Sequence, residues 1–441
     1  MMENKESKKV KVIHAHPGAG IFVRQSALSY LENDMLEYFL TTFVSHEKYF
    51  LSNFITKIVP QLKRDISRKA INELPFEKLK LYPYRELIRL FSSRYASPMV
   101  THHIWEWSEL AFDNWVASVI AQESKKQKID AIHVYEHAAL SSLQKAKQKG
   151  IFTIFEQPSQ HHSFFAPIVK QQLEKYPELR SDETNILVDK KYDKYNQRKD
   201  EELQLADLVI CNSSFTKRTL IAADIDDKKI QVIPHGFPKI LTEINTDNKS
   251  KLGATKQKPV IFLNAGTQNL RKGVHLLYNA WRKANFSSQE AELWLIGRSS
   301  LPKNLTHDLQ GSVKIKDSIP RDELMQLYKE ADVFVLPTLA DGFAMVISES
   351  MSQGVPVITT QNSMAPDFIT HQKNGWIVPV GDEDALLQQM KWCVENRNLL
   401  PKIGYEAIQT AKNWQWENFR NKTATTVKEQ ILIHHDKQRT K

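Results

Sequence analysis

Twice along this chain a short apolar run ends in a glycine-bearing turn, passes into a helical pattern and returns to another apolar run. That alternation restricts the fold to parallel sheets with helices on their faces, because parallel neighbours need crossovers long enough to hold a helix. The first series opens with residues 9–14 (KVKVIH), the turn His16-Pro17-Gly18-Ala19-Gly20, a helical pattern over 21–31 and a strand pattern over 37–44. It resumes with strands at 131–135, 152–155, 208–211 and 230–233, and with a helix over 138–149 stopped by Gly150. The second series places strands at 260–264, 293–296, 313–316, 333–336 and 355–360, and helices at 274–284, 321–330 and 345–353. Two such series predict an α/β chain of two doubly wound domains facing a cleft, with ligands gathered at the carboxyl ends of the strands. The expected division is 1–237 for the first domain, with a mostly helical, aromatic-rich insertion at 50–122, then a polar linker at 238–258. The second domain covers 259–413, and 414–441 is a helical tail.

Composition narrows the partners. The net charge of +9 favours anionic ones: a phosphate-bearing ligand, nucleic acid or an acidic membrane face, although a merely solvated basic surface carries the same charge. No Lys/Arg run interleaved with aromatics is present, and nothing resembles a helix-turn-helix or zinc finger, so nucleic acid is not expected. Cys211 and Cys393 stand far apart, without a disulfide framework or metal-ligand spacing; Cys211 ends an apolar run and reads as a strand residue. The start MMENKESKKVKV lacks the apolar core of a signal peptide, and no run of about 18 apolar residues suggests a membrane span. The expected compartment is the cytoplasm, with peripheral contact at an anionic inner membrane face.

Three stretches carry chemistry. In Pro337-Thr338-Leu339-Ala340-Asp341-Gly342-Phe343-Ala344-Met345-Val346-Ile347-Ser348-Glu349 a strand delivers a loop, and the loop opens a helix. Free amides at such a helix start favour phosphate, Gly342 lets backbone approach a ligand, and two carboxylates suit vicinal diols of a sugar and a ribose. The same pattern also fits an Asp341 N-cap with Glu349 on a solvated helix face. The second stretch, Asn264-Ala265-Gly266-Thr267-Gln268-Asn269-Leu270-Arg271-Lys272-Gly273, ends a strand-to-helix turn in two cations. It reads as a diphosphate clamp or as a solvated helix start. The third is Glu136-His137 together with Glu156-Gln157-Pro158, polar groups at two successive strand ends. His161 and His162 are open to a role in acceptor or metal binding, or to plain loop exposure. Trp105, Trp107 and Trp115 read as helical core, with sugar stacking or a membrane interface as alternatives.

The stretch from Asp341 to Glu349 resembles the E-x7-E region of glycosyltransferase family 4, as do Gly354-Val355-Pro356-Val357-Ile358 and Asn374-Gly375-Trp376-Ile377-Val378-Pro379. The resemblance implies a GT-B fold of two Rossmann-like domains whose tail helix crosses back to the first. Asp341 would hold the transferred sugar, Glu349 the ribose, and the amides of Gly342, Phe343, Ala344 and Met345 the sugar and diphosphate. Gly18, Gly20, Gly266 and Gly297 would line the donor site, with Arg271 and Lys272 on its phosphates. Two departures stand out: Asp341 replaces the usual Glu, and Thr267 takes the place of an Arg. Glu156 occupies a position where many members carry His, and matches a subgroup with an acidic-x-Pro motif followed by a stretch like Arg198-Lys199-Asp200-Glu201-Glu202-Leu203. It would act on the acceptor hydroxyl, or simply cap structure, with Glu136, His137, His161 and His162 on the acceptor side.

The implied activity is metal-independent transfer of a hexose from a UDP- or GDP-sugar to a glycan or glycolipid, with retention, in cell-surface polysaccharide biosynthesis. No cofactor beyond the donor substrate is expected. The alternatives are a non-catalytic subunit of the same fold that binds nucleotide sugar or glycan, a sugar-nucleotide epimerase, and a phosphorylase. A nicotinamide dehydrogenase is disfavoured, since the first turn lacks GxGxxG.

Overall fold

The computed structural model describes residues 9–49, 66, 69–190, 193–240, 258–302, 304–307, 309 and 312–440. Seven strands form the first sheet: β1 Val12–Ala15, β2 Leu36–Thr41, β3 Leu79–Leu81, β4 Ala131–Tyr135, β5 Phe152–Gln157, β6 Leu208–Cys211 and β7 Ile230–Val232. Six form the second: β8 Val260–Ala265, β9 Ala291–Ile296, β10 Ser312–Lys316, β11 Val333–Leu336, β12 Val357–Thr360 and β13 Gly375–Val378. Strand orders are β3-β2-β1-β4-β5-β6-β7 and β10-β9-β8-β11-β12-β13, and every paired neighbour is parallel. The central strands β1, β4, β5, β6, β11 and β12 are buried along their whole length. Helices therefore cover both faces, as near-continuous apolar runs require. This is the two-sheet, doubly wound architecture that the alternation predicts.

Period-two alternation divides the first domain's core. Val12, Ala131, Tyr135, Phe152 and Ile154 pack on one face with the helix Ile21–Glu32. Ile13, Ile132, Val134 and Phe155 pack on the other with Phe112, Val116 and Ile120 of the helix Pro98–Lys126. That long helix starts on Pro98, whose missing N–H costs nothing at a first turn, and Ser97 caps it by accepting from the amide of Val100.

The expected helical insertion needs one correction: β3 lies inside it, and its three residues (LKL) are too few for alternation to be read. The helices Tyr84–Tyr95 and Pro98–Lys126 occupy most of the rest of its described part; residues 50–65, 67 and 68 lie outside the described residues, as does 241–257 of the expected linker. Trp115 stacks on Tyr82 with ring centres 5.3 Å apart, whereas Trp107 stays 42% exposed under the Arg85 guanidinium. The last helix, Trp416–Arg439, returns to the first domain and inserts Phe419, Ala424, Val427 and Ile431 into its core. Arg420 pairs with Glu32 at 2.7 Å. No described helix is long and apolar enough to cross a membrane.

On the long helix, burial and then the like charge of Glu86 push the Glu109 carboxyl up to about 8. Its neutral form is the one that the fold favours, so the stability it contributes is complete below the ordinary carboxylate range and is lost as pH rises through about 8. Glu109→Gln is expected to match the wild type in acid and to melt higher above pH of about 8. Melting curves across pH test this, and a pH-independent difference contradicts it.

Candidate functional site

In the second sheet the strand order reverses between β8 and β11, and the crevice outside their carboxyl ends is where doubly wound sheets bind ligands. The turn after β8 carries Gly266 to Gly273, and the loop after β11 carries Pro337 to Ala344. The two stretches singled out in the sequence are therefore brought side by side by topology. The Arg271 carbonyl accepts from the Leu339 amide at 2.9 Å and from the Thr338 hydroxyl at 3.0 Å, which seams the loops together. Nearby, Gly297 runs at φ 135° and a Cβ on it would stand 2.0 Å from the Gly266 carbonyl oxygen. No side chain fits at that crossing.

Asp341 sits at the centre of the seam. Its Oδ2 is bonded to the Lys272 ammonium and lies 3.6 Å from Arg271 Nη1; its Oδ1 accepts from the Ala344 amide at 3.2 Å. Burial alone would raise the Asp341 carboxyl, but Lys272 and Arg271 outweigh it and hold it below the usual range. Burial lowers the Lys272 ammonium, with Asp341 opposing. Ala344 adopts left-handed backbone (φ 58°, ψ 70°), a strained conformation for a residue with a Cβ, just before the helix Met345–Ser352. The Gly342 and Phe343 amides have no hydrogen-bond partner among the described residues. Two cations, a carboxylate and unpaired amides thus converge at one strand-to-helix transition. Glu349 lies on that helix, 3.0 Å from Arg321 Nη2, with its carboxyl pushed up by burial. Arg321 had no sequence signal: it opens a helix after Pro320, and only the packing of that helix brings it to Glu349.

The loop also meets the first domain. The Gly342 carbonyl accepts from the Ser213 hydroxyl, and a Cβ on Gly342 would fall 2.2 Å from the Pro158 carbonyl oxygen. The Ser214 amide donates to Asp367 at 2.9 Å, Gln172 meets His275 at 2.9 Å, and Tyr176 meets Glu383. The two domains are closed on each other around this loop.

Across the cleft lies a cavity of ≈ 350 Å³ lined by Trp105, Glu136, His137, His162, Lys199 and Arg271 among others. The acceptor-side residues Glu136, His137 and His162 are thus gathered on one wall, facing a cation of the phosphate stretch. Burial works against the Glu136 charge, but Lys199 at 3.5 Å and His137 outweigh it, bringing its carboxyl down to about 2. Burial drives His137 down to about 3, which leaves a neutral ring. His161 is 4% exposed, so the loop-exposure reading fails for it; it and His162 both meet Asp200.

Of the two readings open for Glu156, an acceptor role or a structural one, its surroundings fit the structural one. It does not line the cavity; it is 2% exposed and turned toward the helix Ile21–Glu32, with Ser26 Oγ at 3.5 Å and His133 Nε2 at 3.2 Å. Alternation along β5 puts it on the face of Ile154, beside His133 and Tyr135 of β4. The turn glycines have local roles: Gly18 donates to His16 Nδ1 at 2.8 Å, and Gly20 precedes the helix Ile21–Glu32.

Because Pro158 is backbone at the contact, a methyl at position 342 must displace the loop, at a cost of about 1–3 kcal/mol. Gly342→Ala is therefore expected to keep both sheets while weakening ligand binding in the cleft. Circular dichroism with ligand titration checks it; unchanged affinity contradicts this role for the contact.

Residues 98–238 match the family model described as Glycosyltransferase Family 4, and residues 245–410 the one described as Glycosyl transferases group 1. Among curated proteins, the amylovoran biosynthesis glycosyltransferase AmsK of Erwinia amylovora is 27% identical over 191 residues, 41% of this chain and 46% of that protein. The colanic acid biosynthesis glycosyltransferase WcaL of Escherichia coli, a putative assignment in its own name, is 25% identical over 143 residues, 30% of this chain and 35% of that one. The chain thus spans less than half the length of these relatives. Among solved structures, Anabaena HepE in complex with UDP superposes with a TM-score of 0.58 at 15% identity, covering 96% of this chain and 100% of that one. The sucrose-phosphate synthase of Thermosynechococcus elongatus gives 0.62 at 16% identity, covering 96% and 99%. These likenesses establish the GT-B fold. With one family model on each side of the cleft, the chain belongs to the family 4, group 1 glycosyltransferases.

Proposed function

We propose that the chain is a retaining hexosyltransferase that takes a UDP- or GDP-linked sugar as donor and a glycan or glycolipid hydroxyl as acceptor. The observation that carries this reading is the cluster of Lys272, Arg271, Asp341 and the unpaired Gly342 and Phe343 amides at the β8/β11 crevice. Relatives named for amylovoran and colanic acid biosynthesis support a place in cell-surface polysaccharide assembly. The UDP and UDP-glucose complexes of HepE support a uridine donor.

In this mechanism the bond between the sugar's anomeric carbon and the diphosphate oxygen breaks as the bond to the acceptor oxygen forms on the same face. The acceptor proton passes to the departing phosphate. Charge growing on that phosphate is met by Lys272, Arg271 and the loop amides, which are already oriented and need no rearrangement. Asp341 then has a double role: its carboxylate fixes Lys272, and its oxygens accept from the sugar hydroxyls. Glu349 holds the ribose. No cofactor and no Mg²⁺ takes part, and contact of this net-basic chain with an anionic membrane surface would bring a lipid-linked acceptor to the cleft.

Asp341→Ala is expected to lower kcat by about 10²–10³-fold while nucleotide affinity changes little, and Glu349→Ala to weaken both. Transfer assays with and without Mg²⁺, which the wild type does not require, and calorimetry with the free nucleoside diphosphate separate these effects. Intact turnover in Asp341→Ala assigns the sugar-holding role elsewhere, and a Mg²⁺ requirement removes the charge-stabilising role given to Lys272 and Arg271.

A further inference from the structure

We propose that His161, His162 and Asp200 form a binding site for a first-row transition-metal ion, Zn²⁺ by preference, at the edge of the acceptor-side cavity. Each residue offers one ligand atom, and these atoms all lie within 4.8 Å of one another. Asp200 Oδ1 is 3.0 Å from His161 Nε2 and 2.8 Å from His162 Nε2, and the two rings are 4.2 Å apart. Zinc with ligands at about 2.0–2.2 Å sets tetrahedral donors about 3.3 Å from one another, so a small outward shift of Asp200 admits the ion.

Several further observations suit a metal. The non-ligating nitrogen of His161, Nδ1, accepts from the Ser163 amide at 3.3 Å as the helix cap and lies 2.8 Å from Ser163 Oγ; with an ion on Nε2 it would carry the proton and donate to that hydroxyl, an outer partner that fixes a ligand imidazole. The Asp200 side chain is 48% exposed, which gives the ion an entry route and leaves room for a water ligand. The neighbouring Lys199 directs its charge to Glu136. Two imidazoles with one carboxylate select Zn²⁺, Co²⁺ or Ni²⁺ over the oxygen-preferring Mg²⁺ and Ca²⁺. A second adjacent pair, His434 and His435, lacks this convergence: its rings are 6.4 Å apart, with His434 turned to Gln438 and His435 to Asp130.

The position gives the site a consequence. His161 caps, and His162 begins, the helix His162–Lys175, and Asp200 belongs to the helix Asp193–Leu205. The far end of the first of these helices reaches the second domain through Gln172–His275 and Lys175–Glu383. An ion would pin that bridging helix to the wall of the cavity. It is separate from the phosphate cluster and takes no part in bond breaking.

The test is a Co²⁺ titration of the chelator-treated, dialysed full chain, read by its visible d–d bands, followed by Zn²⁺ displacement in a calorimeter. One ion per chain is expected, with His162→Ala and Asp200→Asn each weakening binding at least about tenfold and His434→Ala leaving it unchanged. Circular dichroism verifies that the variants are folded. Absence of d–d bands in the wild type, bands that survive in both site variants, or bands lost in His434→Ala overturn the proposal.

Discussion

The ion pair between Lys272 and Asp341 is the interaction on which the cleft depends. Asp341 is buried and Lys272 mostly so; breaking such a pair costs about 3–5 kcal/mol, offset in part at Asp341 by Arg271 at 3.6 Å. The pair joins the turn after β8 to the loop after β11, and the hydrogen bonds from Leu339 and Thr338 to Arg271 reinforce the same seam. Once the seam is made, Ala344 takes its left-handed conformation and the Gly342 and Phe343 amides stay without acceptors among the described residues. The loop is thereby poised to receive negative charge. It also presents Gly342 to Pro158 and Ser213, so the order of the second domain is passed directly to the first.

Much of this was legible because it follows strand ends. Glycines at 266 and 297, the Arg271-Lys272 dipeptide and the Asp341–Glu349 spacing all sit where a parallel sheet must turn, and topology alone brings the two loops together. What escaped the reading lies across elements with no shared period. Arg321 finds Glu349 only through helix packing, and Asp200 reaches His161 from 39 residues away. Strand β3 is too short to show alternation. Glu156 shows why both readings stayed open: a polar residue near a strand end suits a cleft-facing or a structural place. Counting back by twos from Glu156 to Ile154 and Phe152 puts it on the sheet face of the helix Ile21–Glu32, beside His133.

The two domains contribute unlike surfaces to one cleft. The second supplies cations and amides around a single carboxylate, suited to a leaving diphosphate. The first supplies Trp105, neutral His137 and the Glu136–Lys199 pair, a mixed apolar and polar wall suited to hydroxyl-bearing acceptors. Arg271 lines the cavity and lies 3.6 Å from Asp341, so it bridges the two surfaces of the cleft. The closing contacts at Gln172, Tyr176 and Ser214 keep those surfaces in register.

The central claim is that the Lys272–Asp341 seam is a donor diphosphate site. Calorimetric titration with a panel of UDP- and GDP-sugars, on the wild type and on folded Lys272→Gln, tests it most directly. The account predicts saturable binding of at least one member by the wild type, weakened about tenfold or more when the buried cation is removed. Wild-type protein that binds none of the panel, or a Lys272→Gln variant that binds as tightly, contradicts it.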